Sequence, residues 1–335
     1  MTGFELYLKR NSKKFDAYLS KFFVDGSHSD MGRYLYGPLA SYSANAGKRH
    51  RPLICLLACE AVGGDSKKAW TSAAAIEHFH TAALIHDDIE DSSLTRRGEP
   101  CLHIREGEGL AINAGDLALS LVTGTVVDDP DLDDATKLKV LHELVDMTTR
   151  TIEGQALDIG WARDDRFDLS VEDYLLMANH KTAFYSGAVP LAIGSIVGGG
   201  TPQQTEALRD FGMAAGLAFQ IQDDVLNLVG TREATKKDFR SDITEGKRTL
   251  VAVHALTHAP RSERLLAILS ARETDVAVLA EAVEIMQEGG SVEFANTYAR
   301  DLVVNAKNSL EGAVHKSHAR DLLLSMADFF IKRSS

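Results

Sequence analysis

Cysteine is scarce in this sequence of 335 residues, which contains only Cys55, Cys59 and Cys101. Three cysteines do not suggest a disulfide framework, and their spacing matches no zinc site, so a reducing, cytoplasmic location is favoured. Positive charge is also in short supply, because 36 Lys and Arg face 48 Asp and Glu and the net charge is −12. This balance argues against a nucleic-acid partner, and an anionic substrate would need local basic groups or metal ions.

A long hydrophobic run is missing as well. The longest uncharged stretch, residues 182–205, contains Pro190 and a triple glycine at residues 198–200. Its apolar part is shorter than the ~20 residues that a membrane-spanning helix needs. We therefore predict a buried helix that ends at the glycines, and no membrane span.

Helical periodicity is what the sequence has in abundance. Long segments rich in Ala and Leu are broken by short polar stretches, and alternating strand patterns are scarce. Ser170 is a predicted helix N-cap, with Asp173 three residues later to complete a capping box. No repeat or long linker divides the chain. We predict an all-α fold in a single large domain over residues 1–335.

Negative charge is concentrated in the segment LIHDDIED, residues 84–91, which follows an apolar helical run. Asp87, Asp88 and Asp91 share one helical stripe with His80. Asp87 and Asp91 lie one turn apart, with Cβ atoms ~5–6 Å apart, and would repel by on the order of a few kcal/mol without a cation. Two arginines follow at residues 96 and 97, too far along to neutralise the acids within the helix. An all-oxygen ligand set favours Mg²⁺ or Mn²⁺ over zinc, although a solvated acidic helix face is the simpler alternative.

The setting of such a pattern decides its meaning, because residues 164–168, DDRFD, also match DDxxD. There Arg163 and Arg166 are interleaved with the acids, so local pairing in a loop explains the charge, and we reject this copy. A second stripe occurs in GLAFQIQDDVLNLVG, residues 216–230, in which Gln220, Asp223, Asp224 and Asn227 occupy positions i, i+3, i+4 and i+7. Two such faces could confront each other across a cavity if several Mg²⁺ ions and a diphosphate lay between them.

Basic groups suited to a diphosphate occur in four short segments, each of which taken alone is more simply solvated surface. They are Lys48, Arg49 and Arg51 in AGKRHRP, Arg96 and Arg97, Lys181 beside Thr182, and Lys236, Lys237, Lys247 and Arg248 in residues 235–249.

With both acidic stripes and these basic segments in order, residues 40–255 resemble the trans-isoprenyl (polyprenyl) diphosphate synthases, of the geranylgeranyl diphosphate synthase type. The resemblance implies an isoprenoid-synthase bundle of helices around a deep central cavity, in a homodimer. It also implies a prenyltransferase that joins isopentenyl diphosphate to an allylic diphosphate, head to tail, with Mg²⁺. Three Mg²⁺ ions are expected, and Mn²⁺ could substitute.

The resemblance also assigns roles to residues. Asp87, Asp91 and Asp223 would bind Mg²⁺, with Asp88 supporting, and Lys181 would act with these aspartates in catalysis. Residues at positions that bind the allylic diphosphate are Arg96, Lys181, Thr182, Gln220, Lys237 and Lys247. Residues at positions that hold isopentenyl diphosphate are Lys48, Arg51, His80 and Arg97. Gln155 and Asp158 resemble a further segment that lines the cavity.

Two features bear on the product and on metal binding. The family sets short products with bulky residues four and five positions before the first motif, and here Ala83 and Ala82 are small, which predicts a product longer than farnesyl, geranylgeranyl first. The second motif ends in Asn227 where many members have Asp, which weakens any metal role for residue 227.

Rival functions remain open on the sequence. They are a farnesyl diphosphate synthase, a class I terpene cyclase, a non-catalytic subunit that modulates a prenyl synthase, and a helical scaffold with incidental acids. A cyclase needs no isopentenyl site, so four residues argue against it: Lys48, Arg51, His80 and Arg97. The retained second motif argues against a non-catalytic subunit.

Overall fold

The computed structural model describes residues 2–24, 26–45, 47–230 and 240–331. Helices dominate these residues, which confirms the predicted all-α class. The helices are α1 (Gly3–Leu19), α2 (Ser29–Met31), α3 (Gly37–Ala44), α4 (His50–Ala61), α5 (Trp70–Glu90), α6 (Leu102–Glu106), α7 (Glu108–Val127), α8 (Asp134–Arg163), α9 (Val171–Ala178), α10 (Val189–Val197), α11 (Pro202–Val229), α12 (Ser241–Thr244), α13 (Leu250–His258), α14 (Ser262–Ala271), α15 (Val276–Glu288), α16 (Ser291–Ala313) and α17 (His318–Ile331).

Other regular elements are short. Strands β1 (Thr95–Arg96) and β2 (Glu99–Pro100) form an antiparallel pair. Single 3₁₀ turns occupy Ser20–Phe22 and Ser66–Ala69, and π-helical segments occupy Gly32–Tyr36 and Asn179–Ala188.

Local sequence signals set several helix ends. The Ser170 hydroxyl accepts from the Asp173 N–H at 3.1 Å, and the Asp173 carboxylate accepts from the Ser170 N–H at 2.9 Å, which confirms the predicted capping box. Helix α10 ends at Val197, directly before the triple glycine, as predicted.

The chain divides into two compact units. Unit 1 comprises Met1–Asp146, Pro190–Glu206 and Val314–Leu323. Unit 2 comprises Met147–Val189, Ala207–Ala313 and Leu324–Ser335. The single domain over residues 1–335 stays a prediction.

In unit 1, α5 packs closely along α7, and small residues make this possible. Ala82, Ala111, Ala114 and Ala118 are fully buried in one apolar cluster. A Cβ at Gly115 of α7 would overlap the His86 ring of α5. This close packing fixes the carboxyl end of α5, where the first acidic motif lies.

Helix α7 is long and apolar enough to cross a membrane, judged by length and composition alone, with a mean hydropathy of 1.5. It is the one candidate among the described residues. Ala111, Ala114 and Ala118 of α7 are buried against α5, whereas Ile112 and Val127 are exposed.

In unit 2, α11 lies directly against the π-helical segment Asn179–Ala188. A Cβ at Gly187 would overlap the Gly212 carbonyl oxygen, and a Cβ at Gly212 would overlap that of Gly187. Glycine is required at this crossing because the two backbones touch. The contact fixes the helix that carries the second acidic motif.

Candidate active site

The first acidic motif ends α5, and its three aspartates have different environments. The Asp87 side chain is 26% exposed, the Asp88 side chain is buried and Asp91 is exposed. The Asp91 N–H donates to the Asp87 carbonyl oxygen at 2.9 Å, so the last helical turn extends to Asp91 and keeps these two residues one turn apart.

A tight hairpin follows the motif and changes its charge balance. Arg97 and Gly98, between β1 and β2, have φ values of 55° and 86°, and this turn reverses the chain. Arg96 Nε consequently donates to Asp88 Oδ1 at 2.7 Å, and Nη2 donates to Asp87 Oδ2 at 3.0 Å. The expectation from sequence spacing that Arg96 lies too far along to neutralise the acids is therefore wrong.

Asp88 is held from two sides. Its second oxygen, Oδ2, accepts from the Tyr42 hydroxyl of α3 at 2.7 Å. Burial and the bond to Asp88 raise the pKa of Tyr42, so its hydroxyl stays protonated and donates. With each oxygen bonded to a side chain, Asp88 is arranged as a supporting carboxylate.

Two of the four residues assigned to isopentenyl diphosphate, Arg51 and His80, are in contact in unit 1. Arg51 Nη1 lies 3.1 Å from His80 Nε2, and both residues are buried. Burial lowers the pKa of His80 well below its ordinary value, and the charges of Arg51 and Arg97 lower it further. His80 is therefore neutral, and its Nε2 accepts from Arg51 because a guanidinium can only donate.

The neighbouring basic residues are used differently. Arg97 Nη1 donates to the Asn45 carbonyl oxygen at 2.6 Å and stays exposed, while the Lys48 carbonyl oxygen accepts from Ser12. Arg49 turns inward, where it bonds the buried Glu77 and forms ion pairs that hold the fold. The sequence gives no sign of this difference between Arg49 and Arg51, because it depends on the φ of 52° at Arg49.

The two small residues before the first motif also differ. Ala82 is fully buried in the cluster between α5 and α7, whereas Ala83 is partly exposed. Ala83, one turn before Asp87, is therefore the less buried of the two.

In unit 2, the second motif repeats the environment of the first. Asp224 is buried, and it accepts from the Tyr174 hydroxyl at 2.8 Å and from Gln220 Nε2 at 2.7 Å. Asp223 beside it is partly exposed. Asn227 Nδ2 donates to Ser241 Oγ at 3.1 Å, and Oδ1 accepts from the Asp242 N–H at 3.2 Å. The Asn227 amide thus holds the start of α12.

Asp242 is a site residue that sequence reasoning missed, since residues 235–249 attracted attention for their cations. Its carboxylate is buried, and burial raises the pKa of both Asp224 and Asp242. Repulsion by Asp242 raises the pKa of Asp224 further. Lys247 Nζ lies 3.6 Å from Asp242 and 2.8 Å from Glu245. Among the described residues of this cluster the carboxyl groups outnumber Lys247, and the raised pKa values show that they favour a proton or a further cation.

Lys181 and Thr182 lie on the π-helical segment that follows α9. Lys181 Nζ donates to Asp158 of α8, and Thr182 is buried. A Cβ at Gly154 would overlap the Lys181 backbone nitrogen, so α8 approaches this segment as closely as glycine allows. The predicted residue Lys237 lies outside the described residues.

The rejected motif, DDRFD, forms the loop between α8 and α9. Arg163 pairs with Asp164 at 2.8 Å and Arg166 with Asp168 at 2.5 Å, as the sequence indicated. Arg248 also holds this loop, since its Nε donates to the Arg166 carbonyl oxygen at 2.8 Å.

Magnesium fits the donors of both motifs. Within residues 2–24, 26–45, 47–230 and 240–331, no three His, Cys, Asp or Glu side chains form a group that could hold a metal ion by themselves. Mg²⁺ is usually held by one or two carboxylates together with waters and substrate phosphates. The partly exposed Asp87 and Asp223 offer such oxygens, and the surplus of buried carboxylate beside Asp223 favours a cation.

Comparisons with known proteins agree with this chemistry. The family model described as Polyprenyl synthetase matches residues 33–286. A short chain isoprenyl diphosphate synthase of Methanothermobacter thermautotrophicus is 44% identical over 289 residues, 86% of each chain. The crystal structure of a geranylgeranyl pyrophosphate synthetase from Pyrococcus horikoshii is 32% identical, with a TM-score of 0.90 over 98% of each chain.

A third comparison concerns ligands. The crystal structure of a geranylgeranyl pyrophosphate synthase from Corynebacterium glutamicum, complexed with isoprenyl diphosphate and magnesium, is 29% identical, with a TM-score of 0.86 over 99% of each chain. Because the family model spans most of the sequence and the Methanothermobacter relative is 44% identical, this chain belongs to the polyprenyl synthetase family and is a prenyltransferase, as its motifs predicted.

Proposed function

We propose that this protein condenses isopentenyl diphosphate with an allylic prenyl diphosphate, head to tail, in a magnesium-dependent reaction. The observation that carries the proposal is the contact between buried Arg51 and neutral His80 in unit 1, where the charge of Arg97 also acts on His80. A terpene cyclase has no need of such a second anion site.

The reaction balances as one transfer. The allylic C–O bond breaks and its electron pair leaves with the diphosphate. The isopentenyl double bond then supplies the electrons for the new C–C bond, and a proton passes from the resulting cation to the departing diphosphate. The chain must exclude water during this step, because water would quench the allylic cation.

We assign the metal-binding role to Asp87 and Asp91 in unit 1 and to Asp223 in unit 2, with three Mg²⁺ ions, for which Mn²⁺ could substitute. Bound magnesium supplies a Lewis acid that stabilises the negative charge of the leaving diphosphate. Asp88 accepts a hydrogen bond from Arg96, and Arg96 also pairs with Asp87. Asp88 therefore keeps the Arg96 guanidinium beside Asp87.

The cationic and polar side chains orient the diphosphates. We assign Arg96, Lys181, Thr182, Gln220, Lys237 and Lys247 to the allylic diphosphate. We assign Lys48, Arg51, His80 and Arg97 to isopentenyl diphosphate. Lys181 and Lys247 each contact a carboxylate in unit 2. Each ammonium group has three donors, so it can also donate a charge-assisted hydrogen bond to a diphosphate oxygen.

The product is a C20 or longer prenyl diphosphate, with geranylgeranyl diphosphate first. The partly exposed methyl group of Ala83 supports this length, because a bulky residue there would shorten the space beside the first motif. The names of the Pyrococcus and Corynebacterium structures agree with it.

We also propose a cytoplasmic homodimer that works as one domain. The three cysteines are buried thiols, which agrees with a reducing compartment. Exposed apolar residues on α8 recur every seven positions, at Leu138, Val145, Ile152 and Ile159, and support docking of a second copy.

The test is an assay of the purified protein with isopentenyl diphosphate, each allylic diphosphate in turn, and Mg²⁺, followed by identification of products. We expect a C20 or longer prenyl diphosphate, and no product after metal removal with EDTA. Asp87→Asn and Asp223→Asn should each lower kcat/KM by about 100-fold or more, since each removes charge from a metal ligand.

Asp168→Asn is the matched control, because Asp168 belongs to the rejected motif and pairs only locally with Arg166 in the described structure. It should retain wild-type turnover. A cyclised hydrocarbon, no reaction, or a reaction that stops at farnesyl diphosphate would each overturn the proposal in favour of the corresponding rival.

A further inference from the structure

The two acidic motifs share a feature that their sequences do not show. In each motif, the second aspartate accepts a hydrogen bond from a tyrosine on a different helix. Tyr42 of α3 donates to Asp88 Oδ2 at 2.7 Å, and Tyr174 of α9 donates to Asp224 Oδ2 at 2.8 Å. The motifs lie in different units, so the same arrangement occurs twice, each time within one unit.

Each aspartate also uses its other oxygen. Oδ1 of Asp88 accepts from Arg96 Nε at 2.7 Å, and Oδ1 of Asp224 accepts from Gln220 Nε2 at 2.7 Å. Two donors on two oxygens fix both the position of a carboxylate and its rotation. Asp88 and Asp224 are therefore rigid points near the ends of their helices.

Both tyrosines are buried, Tyr42 at 8% exposure and Tyr174 at 1%. A buried phenol needs a hydrogen-bond partner, and in each case the partner is the carboxylate. The Tyr42 ring packs in an apolar cluster with Leu39 of α3 and Ala82 and Ile85 of α5, and this packing restricts movement of its hydroxyl.

Helix geometry connects these fixed carboxylates to the metal ligands. Neighbouring residues on a helix point about 100° apart. When Asp88 and Asp224 are held inward, the preceding residues, Asp87 and Asp223, are turned toward the partly exposed side. A carboxylate that binds metal needs such a fixed direction, and residues outside the ligand set usually provide it.

We propose that Tyr42 and Tyr174 are positioning residues that orient Asp87 and Asp223 for metal–diphosphate binding through Asp88 and Asp224. This inference rests on the proposed function, in which those aspartates hold Mg²⁺. The two sites should differ in how strongly the loss of the tyrosine hydroxyl weakens metal binding. Asp88 keeps the charged donor Arg96 when Tyr42 loses its hydroxyl, whereas among the described residues the hydrogen-bond donor left to Asp224 is the neutral amide of Gln220, while the charge of Lys247 also acts on Asp224.

The experiment compares Tyr42→Phe and Tyr174→Phe with Tyr18→Phe, in the full-length protein. Tyr18 is a matched control, because its hydroxyl bonds a neutral partner, Thr71 Oγ1, at 2.8 Å, and neither residue belongs to the proposed site. Binding of Mn²⁺ in the presence of inorganic diphosphate is measured by electron paramagnetic resonance, and thermal unfolding is recorded without metal.

We expect Tyr174→Phe to weaken Mn²⁺ binding by about 10- to 100-fold and Tyr42→Phe to weaken it by a smaller factor, on the order of 10-fold. The Mg²⁺ concentration for half-maximal turnover should rise in parallel, and excess Mg²⁺ should restore much of kcat. Tyr18→Phe should leave both the Mn²⁺ affinity and the Mg²⁺ concentration for half-maximal turnover unchanged. Tyr42→Phe decides the question if Tyr174→Phe does not fold.

Equal Mn²⁺ affinity in the wild type and both site variants would overturn the proposal, as would a wild type that binds no Mn²⁺ with diphosphate. Failure of the proposed function gives a different result. In that case the wild type binds Mn²⁺ and diphosphate, and the two tyrosine substitutions weaken this binding, but the wild type makes no prenyl product.

Discussion

Adjacent residues of one type perform different tasks in this protein. Asp87 and Asp88 are neighbours in sequence, yet one is partly exposed and the other is buried with a donor on each oxygen. The cause is the turn of about 100° per residue in a helix, which directs one carboxylate toward the partly exposed side of α5 and the other into the packed interior. The residue type therefore identifies the motif in the sequence, while the position on the helix determines which aspartate is buried.

His78 shows how a buried residue of the same helix can control acid stability. It is fully buried, and it meets the rings of Phe22 and Phe23 edge-on, with centroids 5.2 and 5.6 Å away. In the described part of the chain neither ring nitrogen has a hydrogen-bond partner. Burial lowers the pKa of His78 to about 3.

This depressed pKa gives a stability prediction. Below pH about 6.5 the unfolded chain binds a proton that the folded chain rejects until pH about 3, so the free energy of unfolding falls as the pH drops through that window. At pH 5 the contribution of His78 to this fall should be about 2 kcal/mol. We expect His78→Phe to lose about that much less stability than the wild type between pH 7.5 and pH 5, as measured by urea unfolding.

The control for His78 is His142→Gln, because His142 is exposed on α8. It should show the wild-type pH dependence. An identical slope in His78→Phe and the wild type would contradict the prediction, even if the variant differs in stability at pH 7.5.

At the scale of elements, several of the candidate site residues lie on irregular segments and not on regular helices. The π-helical segment Asn179–Ala188 carries Lys181 and Thr182, and π-helical turns often occur at functional sites. The hairpin of β1 and β2 returns Arg96 to the end of α5. The regular helices pack the core, whereas the π-helical segment and the hairpin set the positions of Lys181 and Arg96.

Gly154 and Gly160 provide a matched pair on α8. A Cβ at Gly154 would overlap the Lys181 backbone, whereas a Cβ at Gly160 meets nothing within 4 Å. Gly154→Ala should therefore displace the Lys181 segment, lower the free energy of unfolding by about 1–3 kcal/mol and raise KM for the allylic diphosphate. Gly160→Ala should instead stabilise the protein by up to about 1 kcal/mol.

Chemical denaturation and steady-state kinetics on the two variants check this prediction. Similar effects of both substitutions would show that helix propensity, and not the contact with Lys181, governs the result. If Gly154→Ala is destabilised but its KM for the allylic diphosphate is unchanged, the contact at Gly154 affects stability and not substrate binding.

At the scale of the whole molecule, the exposed apolar residues of α8 support the proposed homodimer. Ile152 and Leu138 are 59% and 58% exposed, which is unusual for large apolar side chains that recur at fixed spacing. In a homodimer these side chains would be removed from water, with a gain that grows with the buried apolar area.

Charge on this surface should therefore dissociate the proposed homodimer. We expect the double substitution Val145→Glu and Ile152→Glu to halve the mass measured by light scattering after gel filtration. Leu176→Glu is the control, because Leu176 is also an exposed apolar residue, 49% exposed, but lies on α9 outside the seven-residue repeat. A monomeric wild type, or an unchanged mass in the double variant, would contradict the proposal.

Much of this protein could be predicted from its sequence. Periodicity gave the all-α class, and the polar breaks gave most helix ends, because both depend on residues close together in the chain. The same locality explains why the DDRFD copy could be rejected, since Arg163 and Arg166 stand beside their partners. The acidic stripes were visible for the same reason, as residues on one turn of one helix.

Contacts between distant segments were decided only by the tertiary structure. Tyr42 meets Asp88 and Tyr174 meets Asp224 across about fifty residues of chain, and Asp242 is buried beside Asp224 although nothing nearby in sequence announces it. The direction of Arg96 depends on a turn with two positive φ angles, and the inward course of Arg49 depends on another. Sequence specifies which charges are present and on which helical stripe they lie, but burial and pairing arise when packed helices remove water from those charges and leave each with the neighbours that the fold provides.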